Sequence, residues 1–355
     1  METVLVYRTG QLGDTICAIP AIQAVRKNLD PCRIVLLSDV HPGTVYPKAH
    51  EVLSEFGLID DFILYNPNDI YIPSAALKMR QQIVQQNSRT LVYLAHRNRT
   101  LSQRLRDIIF FKSCGIKRLY GLRLFWNSFE SHTLKNNEVD RLMDILRLEN
   151  FTVPIEPDFA LPISQTVRTK IEELWSNLGL NYKAVISIGP GAKWPVQRWD
   201  LGNFRIVGER LINSYGTHII VIGGQEDAEA GETLVKVWGS TCTNMAGKTS
   251  FSESAEILRR SLLYLGNDSG PMHLAAAVET PCVAIFSARN PPGFWYPSGK
   301  QHTVLIKEVE CQGCMLNECV DQNMKCIRNI SVDEVFAACE KVLVLLGIDV
   351  KLQTF

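Results

Sequence analysis

Val4-Leu5-Val6-Tyr7 is a short apolar run at the start of the chain. Arg8-Thr9-Gly10-Gln11-Leu12-Gly13-Asp14 follows it, and a helical pattern then continues to about Asn28. Strand, glycine-bearing turn and helix in that order make a β/α unit, and the pattern recurs outward from it. Further strands are expected at Arg33–Ser38, Asp61–Tyr65 and Leu91–His96, with amphipathic stretches Ala75–Gln86 and Leu101–Phe110 between them and a closing helix at Asp140–Leu148. Strands that are apolar throughout and alternate with helices predict an α/β fold whose parallel sheet is covered on both faces.

Phe151–Ser164 has no helical period and carries Pro154, Pro157 and Pro162, so it reads as a linker. The alternation then restarts. Strands are expected at Ala184–Ile188, His218–Ile222, Leu262–Leu265 and Pro281–Phe286. Helices are expected at Leu201–Tyr215, Ala228–Trp238, Ser252–Ser261, Met272–Val278 and Ser331–Leu346. A chain of 355 residues exceeds the roughly 250–300 at which single cores stop growing. Two Rossmann-like domains are predicted, 1–160 and 165–330, followed by a C-terminal helix and tail over 331–355. Two such domains facing each other leave a cleft, and in open α/β sheets ligands bind beyond the carboxyl ends of the strands.

Composition narrows the function classes. The hydrophobic fraction is 46% and the charged fraction 21%, which excludes a disordered or collagen-like chain. Lys+Arg and Asp+Glu are 37 each, so no large basic field exists to hold nucleic acid. No apolar run reaches the roughly 18–20 residues of a membrane span, and Met1-Glu2-Thr3-Val4 lacks signal-peptide character. The expectation is a cytoplasmic protein. Cys17, Cys32, Cys114, Cys242, Cys282 and Cys339 are scattered, as buried thiols of a reducing compartment would be.

Three loops at strand ends hold the candidate chemistry. In the first, Gly10 and Gly13 permit backbone conformations closed to other residues, and Asp14 sits where the helix begins. Asp14 is either an N-cap or a general base, and the two conflict, because capping weakens a carboxylate as a base. The second loop is Gly189-Pro190-Gly191-Ala192-Lys193-Trp194-Pro195-Val196-Gln197-Arg198-Trp199. Its glycines let a ligand approach, Lys193 and Arg198 can neutralise phosphates, and Trp194 and Trp199 either stack on a ligand ring or pack inside. The third, Asn267-Asp268-Ser269-Gly270-Pro271-Met272-His273, joins a strand to a helix start, a ready diphosphate site. The plainer alternative makes Asp268–Ser269 an ordinary cap and His273 a satisfied helix histidine. Between these, Gly223-Gly224-Gln225-Glu226-Asp227 offers acids that either bind ribose hydroxyls or lie in solvent.

Together the three loops resemble glycosyltransferase family 9, the heptosyltransferases of lipopolysaccharide core synthesis. The resemblance lies in VLVYRTGQLGDTICAIPAIQAVR (Val4–Arg26), Gly189–Trp199 with Ile220–Glu226, and LGNDSGPMHLAAAVETPCVAIF (Leu265–Phe286). It implies a GT-B fold, with an N-terminal acceptor domain in which Arg8, Gly10 and Gly13 shape the loop, and a C-terminal nucleotide-sugar domain. It also implies inverting, metal-independent transfer, with Asp14 as general base, Glu226 on the ribose, Asp268 on the donor sugar, and Ser269 and Gly270 at the diphosphate. Lys193, Arg198 and His273 complete the expected donor set. No Asp-x-Asp occurs in the chain, so the carboxylate clamp for a metal-bound nucleotide sugar is missing and no cofactor is expected for catalysis. One departure stands out: the family commonly has a Lys just before its Arg/His-Trp pair, and here that place is Gln197. Either Lys193 supplies the cation from another angle or the donor is not ADP-heptose.

The expected partners are a nucleotide-diphosphate sugar, an ADP-sugar first, and a glycolipid or other saccharide acceptor. An amphipathic acceptor implies work at the inner membrane face, for which Leu101–Phe111 with Arg104, Arg106 and Lys112 is the candidate contact, against core packing. Cys311, Cys314, Cys319 and Cys326 are spaced to wrap a structural zinc or iron; free thiols and disulfides are the alternatives. Rival functions are a GT-B-like epimerase and a non-catalytic nucleotide-sugar-binding protein.

Overall fold

The computed structural model describes residues 1–40, 48–67, 72–96, 99–122, 137–181 and 183–348; the tail beyond 348 lies outside them. The chain divides into two compact units, Met1–Phe159 and Ala160–Phe355. In the first, strands β1 (Glu2–Tyr7), β2 (Cys32–Asp39), β3 (Asp61–Tyr65), β4 (Thr90–Tyr93) and β5 (Arg118–Tyr120) form a sheet of order β3-β2-β1-β4-β5. Every pairing is parallel, with Tyr7 opposite Leu37 on one side and Tyr93 on the other. Helices α1 (Leu12–Asn28), α2 (Ala49–Glu55), α3 (Pro73–Gln85), α4 (Leu101–Ser113) and α5 (Glu138–Leu148) accompany it.

The second unit opens with α6 (Gln165–Asn177). Strands β6 (Val185–Gly189), β7 (His218–Val221), β8 (Cys242–Asn244), β9 (Leu263–Asn267), β10 (Cys282–Phe286) and β11 (Thr303–Ile306) then form a parallel sheet of order β11-β10-β9-β6-β7-β8. Helices α7 (Leu201–Tyr215), α8 (Ala228–Trp238), α9 (Phe251–Arg260), α10 (Gly270–Ala277), α11 (Lys325–Arg328) and α12 (Val332–Leu345) pack with it. Val335, Phe336, Cys339, Val342 and Leu343 of α12 join the same core as Ile186, Leu211 and Val283, so the terminal helix is part of this unit. β6, β9 and β10 are buried at every position, which is why they are apolar without alternation.

Each sheet starts in its middle. The chain winds outward to one side through two strands, then returns to the other side of its first strand; the order is that of the doubly wound dinucleotide fold. The sense of winding therefore reverses between β1 and β4, and again between β6 and β9, while every strand keeps the same direction.

Expected elements fall where the structure has them, with differences at the edges. β5 and β8 are three residues each, too short to show a period. β4 ends at Tyr93 rather than His96, because Arg8 takes the carbonyl of Leu94 and Arg141 that of Ala95, drawing both out of the ladder. α2, α6 and β11 are not anticipated by the sequence reading. No helix among the described residues is long and apolar enough to cross a membrane.

Packing between α7, α8 and β7 turns on one small residue. A Cβ at Gly208 would meet the Trp238 ring at 2.3 Å and Ile219 at 3.0 Å. Gly208→Ala gains about 1 kcal/mol of helix propensity but overpacks this contact, which typically costs about 1–3 kcal/mol. The expected result is a lower urea midpoint; an unchanged or higher one would show that Trp238 yields without strain.

Candidate functional site

The winding reversal of the first sheet places Arg8 beside Leu94, Ala95 and His96 at the carboxyl ends of β1 and β4. Arg8 is fully buried, and a guanidinium survives there only when paired and hydrogen-bonded. Its Nη1 donates to Glu138 Oε1 at 3.0 Å and to Leu94 O at 2.9 Å, while Nε and Nη2 donate to the main-chain carbonyl of Asp14 at 3.1 and 2.5 Å. Glu138 is itself buried and accepts twice from Arg141, at 2.8 Å each. Two cations share one carboxylate between two strand ends and the first turn of α5.

Asp14 rides on this frame. It is the third residue of α1, whose N-cap is Gln11, so it is not the N-cap itself. Its Oδ2 accepts from the Gln11 N–H at 3.0 Å, the backward half of a capping box. Its Oδ1 lies 3.7 Å from Arg8 Nη2 and, among the described residues, receives no hydrogen bond although that atom is buried. The two oxygens thus differ: Oδ2 serves the cap, and Oδ1 takes no part in it. Gly10 has φ +124°, and a Cβ there would lie 2.5 Å from the Asp14 side chain, so only glycine fits; its N–H donates to Asp39 at 2.9 Å. Gly13 is simply the second helical residue. His96, expected from the sequence only as the end of a strand, belongs to the same group: burial lowers its pKa, against the pull of Asp14 and Glu138, while Arg8 and Arg141 lower it further.

In the second unit the reversal lies between β6 and β9, and Asn267 spans it. Fully buried, its Nδ2 donates to Pro190 O at 2.7 Å and its Oδ1 accepts from Trp199 N–H at 3.1 Å, gripping both ends of the second loop. Asp268, next in sequence, accepts from Gln197 Nε2 at 2.6 Å. Ser269 is the N-cap of α10 but does not cap with its side chain; its hydroxyl donates to Asn267 O at 3.2 Å. The ordinary-cap alternative therefore does not describe this turn. Gly270 is the first residue of α10, and His273 is buried with Trp295 edge-on at 6.3 Å.

Two of the expected roles in the loop change. Trp199 is interior, edge-on to Phe204 and donating to Ile330 O, so it stacks on no ligand. The glycines make room for the protein's own side chains: a Cβ at Gly189 would sit 2.0 Å from the Tyr264 hydroxyl, and one at Gly191 would sit 1.9 Å from Asp227. Lys193 lies over the Trp194 ring at 4.5 Å, and the exposed Arg198 donates to Ala192 O at 2.7 Å. Glu226 is exposed, whereas Asp227 is the acid that reaches the loop.

The thiol-bearing segment is tied to this site. Arg289 donates to Met315 O, Leu316 O and Asn317 Oδ1, and Val196 N–H donates to Asn317 O. None of the four cysteines is in a disulfide; Cys314 is exposed, Cys319 and Cys326 are buried. Burial pushes the Cys326 thiol up, aided by the nearness of the other three, yet no three His, Cys, Asp or Glu among the described residues are gathered so as to hold a metal ion. As placed, the thiols do not form a coordination sphere.

Two doubly wound α/β units in one chain, each with polar loops at its winding reversal, define the GT-B class of glycosyltransferase scaffold. The structure resembles a family 9 glycosyl transferase from Veillonella parvula (21% identity, 97% of this chain and 98% of that one, TM-score 0.74). It also resembles ADP-heptose lipopolysaccharide heptosyltransferase II of Escherichia coli (18% identity, 98% and 100%, TM-score 0.68). Lipooligosaccharide heptosyltransferase 2 of Haemophilus influenzae is 32% identical over 136 residues, 37% of this chain and 38% of that relative's length. The profile of glycosyltransferase family 9 (heptosyltransferase) matches residues 123–325, and the chain belongs to that family.

Asp227 gives this site a pH signature. Burial and the neighbouring Glu226 raise its pKa to about 6, against the Gly224 N–H and Arg198. Between about pH 4 and 6 the folded chain holds a proton that the unfolded chain has lost, so stability falls as pH rises through this range and stays lower above it. Asp227→Asn removes the penalty. A gain of about 1–2 kcal/mol at pH 8, shrinking towards pH 4, is expected in denaturant titrations; equal stabilities at pH 8 would refute it.

Proposed function

We propose that this protein is an inverting glycosyltransferase that needs no metal for catalysis and moves a heptose or similar sugar from a nucleotide diphosphate to a hydroxyl of a glycolipid or lipopolysaccharide-type acceptor. The observation that carries this reading is Asp14 Oδ1, a buried carboxylate oxygen that receives no hydrogen bond among the described residues, on a side chain pinned through its other oxygen. An acceptor hydroxyl supplies the missing donor. As its oxygen attacks the anomeric carbon, the proton passes to Asp14, the bond to the diphosphate breaks, and configuration inverts. Arg8 holds Asp14 by its main-chain carbonyl and stands 3.7 Å from that oxygen without hydrogen-bonding it.

The departing diphosphate carries the charge. The first-turn amides of α10, not capped by the Ser269 side chain, favour an anion at Ser269–Gly270, with Lys193 and Arg198 as the cations of the neighbouring loop. Ribose hydroxyls are assigned to the acids at 226–227. The likeness to the ADP-heptose lipopolysaccharide heptosyltransferase II of E. coli makes ADP-heptose the first donor to test. The thiol loop takes a structural part; a zinc or iron there would require its four cysteines to draw closer together than they stand.

A membrane-associated acceptor fits the outer face of α3 and α4. Leu101, Leu105 and Ile109 recur one turn apart on α4 and are 51%, 47% and 62% exposed, while Phe111 is buried with Ile108 and Phe110 packed against the core, so the helix carries a second apolar stripe that faces out. Arg80 of α3 donates to Ser113 O of α4, and Leu77, Val84, Lys78 and Lys112 are exposed nearby. α3 has no acid, and the one acid of α4, Asp107, is buried and held by Tyr93 and Arg106. An apolar stripe among cations suits peripheral contact with the anionic inner face of a membrane, with the protein working from the cytoplasm.

Asp14→Asn tests the mechanism. Transfer from ADP-heptose should fall about 10²–10⁴-fold, with EDTA harmless to the wild type and the ADP-induced thermal shift retained by the variant. Near wild-type transfer would remove Asp14 from the chemistry, and no shift with ADP-, UDP- or GDP-sugars would remove the donor site.

Membrane contact is tested by co-sedimentation with phosphatidylglycerol and phosphatidylcholine vesicles. Salt-sensitive binding to the former alone, abolished by Leu105→Glu with Ile109→Glu, is expected. Equal binding by this double variant would place the contact elsewhere.

A further inference from the structure

Position 197 carries no charge, and the structure shows what an amide does there. Gln197 and Asp268 are 6% and 8% exposed, and the hydrogen bond between them, 2.6 Å long, links the loop after β6 to the turn after β9. Asn267 already fixes the ends of that loop through main-chain atoms, so the Gln197 side chain is not needed to close it. Its amide is directed instead at the carboxylate next in line.

We propose that Gln197 is a positioning and specificity-determining residue: it fixes the Asp268 carboxylate for the hydroxyls of the donor's sugar, restricting the donor to a neutral, polyhydroxylated sugar. The inference rests on the donor-site reading above. A neutral amide orients a carboxylate without cancelling its charge, so each sugar O–H that reaches Asp268 makes a charge-assisted hydrogen bond. A lysine at this position would form an ion pair with Asp268 and compete with those hydroxyls. Arg289 lies within electrostatic reach of Asp268, while its Nε donates to Leu316 O and its Nη2 to Met315 O and Asn317 Oδ1. A sugar bearing its own carboxylate would meet Asp268 as a like charge in a buried place, and is excluded. The diphosphate is left to the α10 amides and the loop cations, so position 197 has no part in nucleotide affinity.

Calorimetric titration of the full chain with ADP and with ADP-heptose separates these roles. The wild type should bind ADP-heptose more tightly than ADP. Gln197→Leu should lose at least about tenfold in ADP-heptose affinity while ADP affinity stays within about twofold and the ligand-free melting temperature stays close to wild type. Gln197→Asn, one methylene too short to reach Asp268, should behave alike and serves if the leucine variant fails to fold. Asp268→Asn combined with Gln197→Leu should bind no more weakly than Asp268→Asn alone. Equal losses for ADP and ADP-heptose would make Gln197 a loop-building residue and overturn the proposal, as would an unchanged ADP-heptose affinity or a wild type with no preference for ADP-heptose. A wild type that binds neither ligand would overturn the donor-site reading as well, which keeps the two failures apart.

Discussion

The constraint on which this structure depends is the change of winding direction in a parallel sheet. Right-handed crossovers from the first strand run to one side, and those from the fourth run to the other. Where they part, two neighbouring strands send their following loops to opposite faces, and the strand ends between them are left uncovered. Both sheets have this break, between β1 and β4 and between β6 and β9. Arg8 and His96 flank one, while Gly189–Gly191 and Asn267–Ser269 flank the other. The polar residues of each unit therefore collect at the one edge that helices cannot seal.

The two units settle this exposed edge by different electrostatics. In the first, full charges balance: Arg8, Arg141, Glu138 and Asp14 alternate in sign, and the pairing offsets the cost of burying Arg8, Arg141 and Glu138. In the second, amides dominate. Asn267 and Gln197 hold main chain and carboxylate without adding charge, and the cations sit at the loop's outer side. Under the proposed function, a balanced ionic frame suits a carboxylate that changes protonation, whereas dipoles suit a place where a diphosphate brings its own charge.

Much of this is legible in sequence because strand ends and helix starts carry their own signals. Apolar runs without alternation reveal buried parallel strands, and Asp14, Asp268 and Ser269 stand out in loops that follow them. Legibility stops where a role depends on a residue distant in sequence. Glu138 and Arg141 look like ordinary charges in the first turn of a helix, yet they are buried because Arg8, 130 residues away, needs a counter-ion. Glycines at 189 and 191 suggest ligand approach, but the space they leave is filled by Tyr264 and Asp227, which no local pattern reveals. Likewise Gln197 reads as a missing cation until its partner, 71 residues on, is seen. The apolar stripe of α4 has helical period, but period alone does not say which side faces the sheet.

The two hydrogen bonds of Asn267 have a consequence for how fast and how tightly the second unit can take a ligand. With Pro190 and Trp199 anchored to one side chain, the intervening loop is a closed ring before anything binds, and its closure entropy has already been lost during folding. An arriving ligand has only to order side chains within that ring, and more of its contact energy is expressed as affinity. A single amide thus shifts the entropic burden of recognition from the binding event to the folding of the domain.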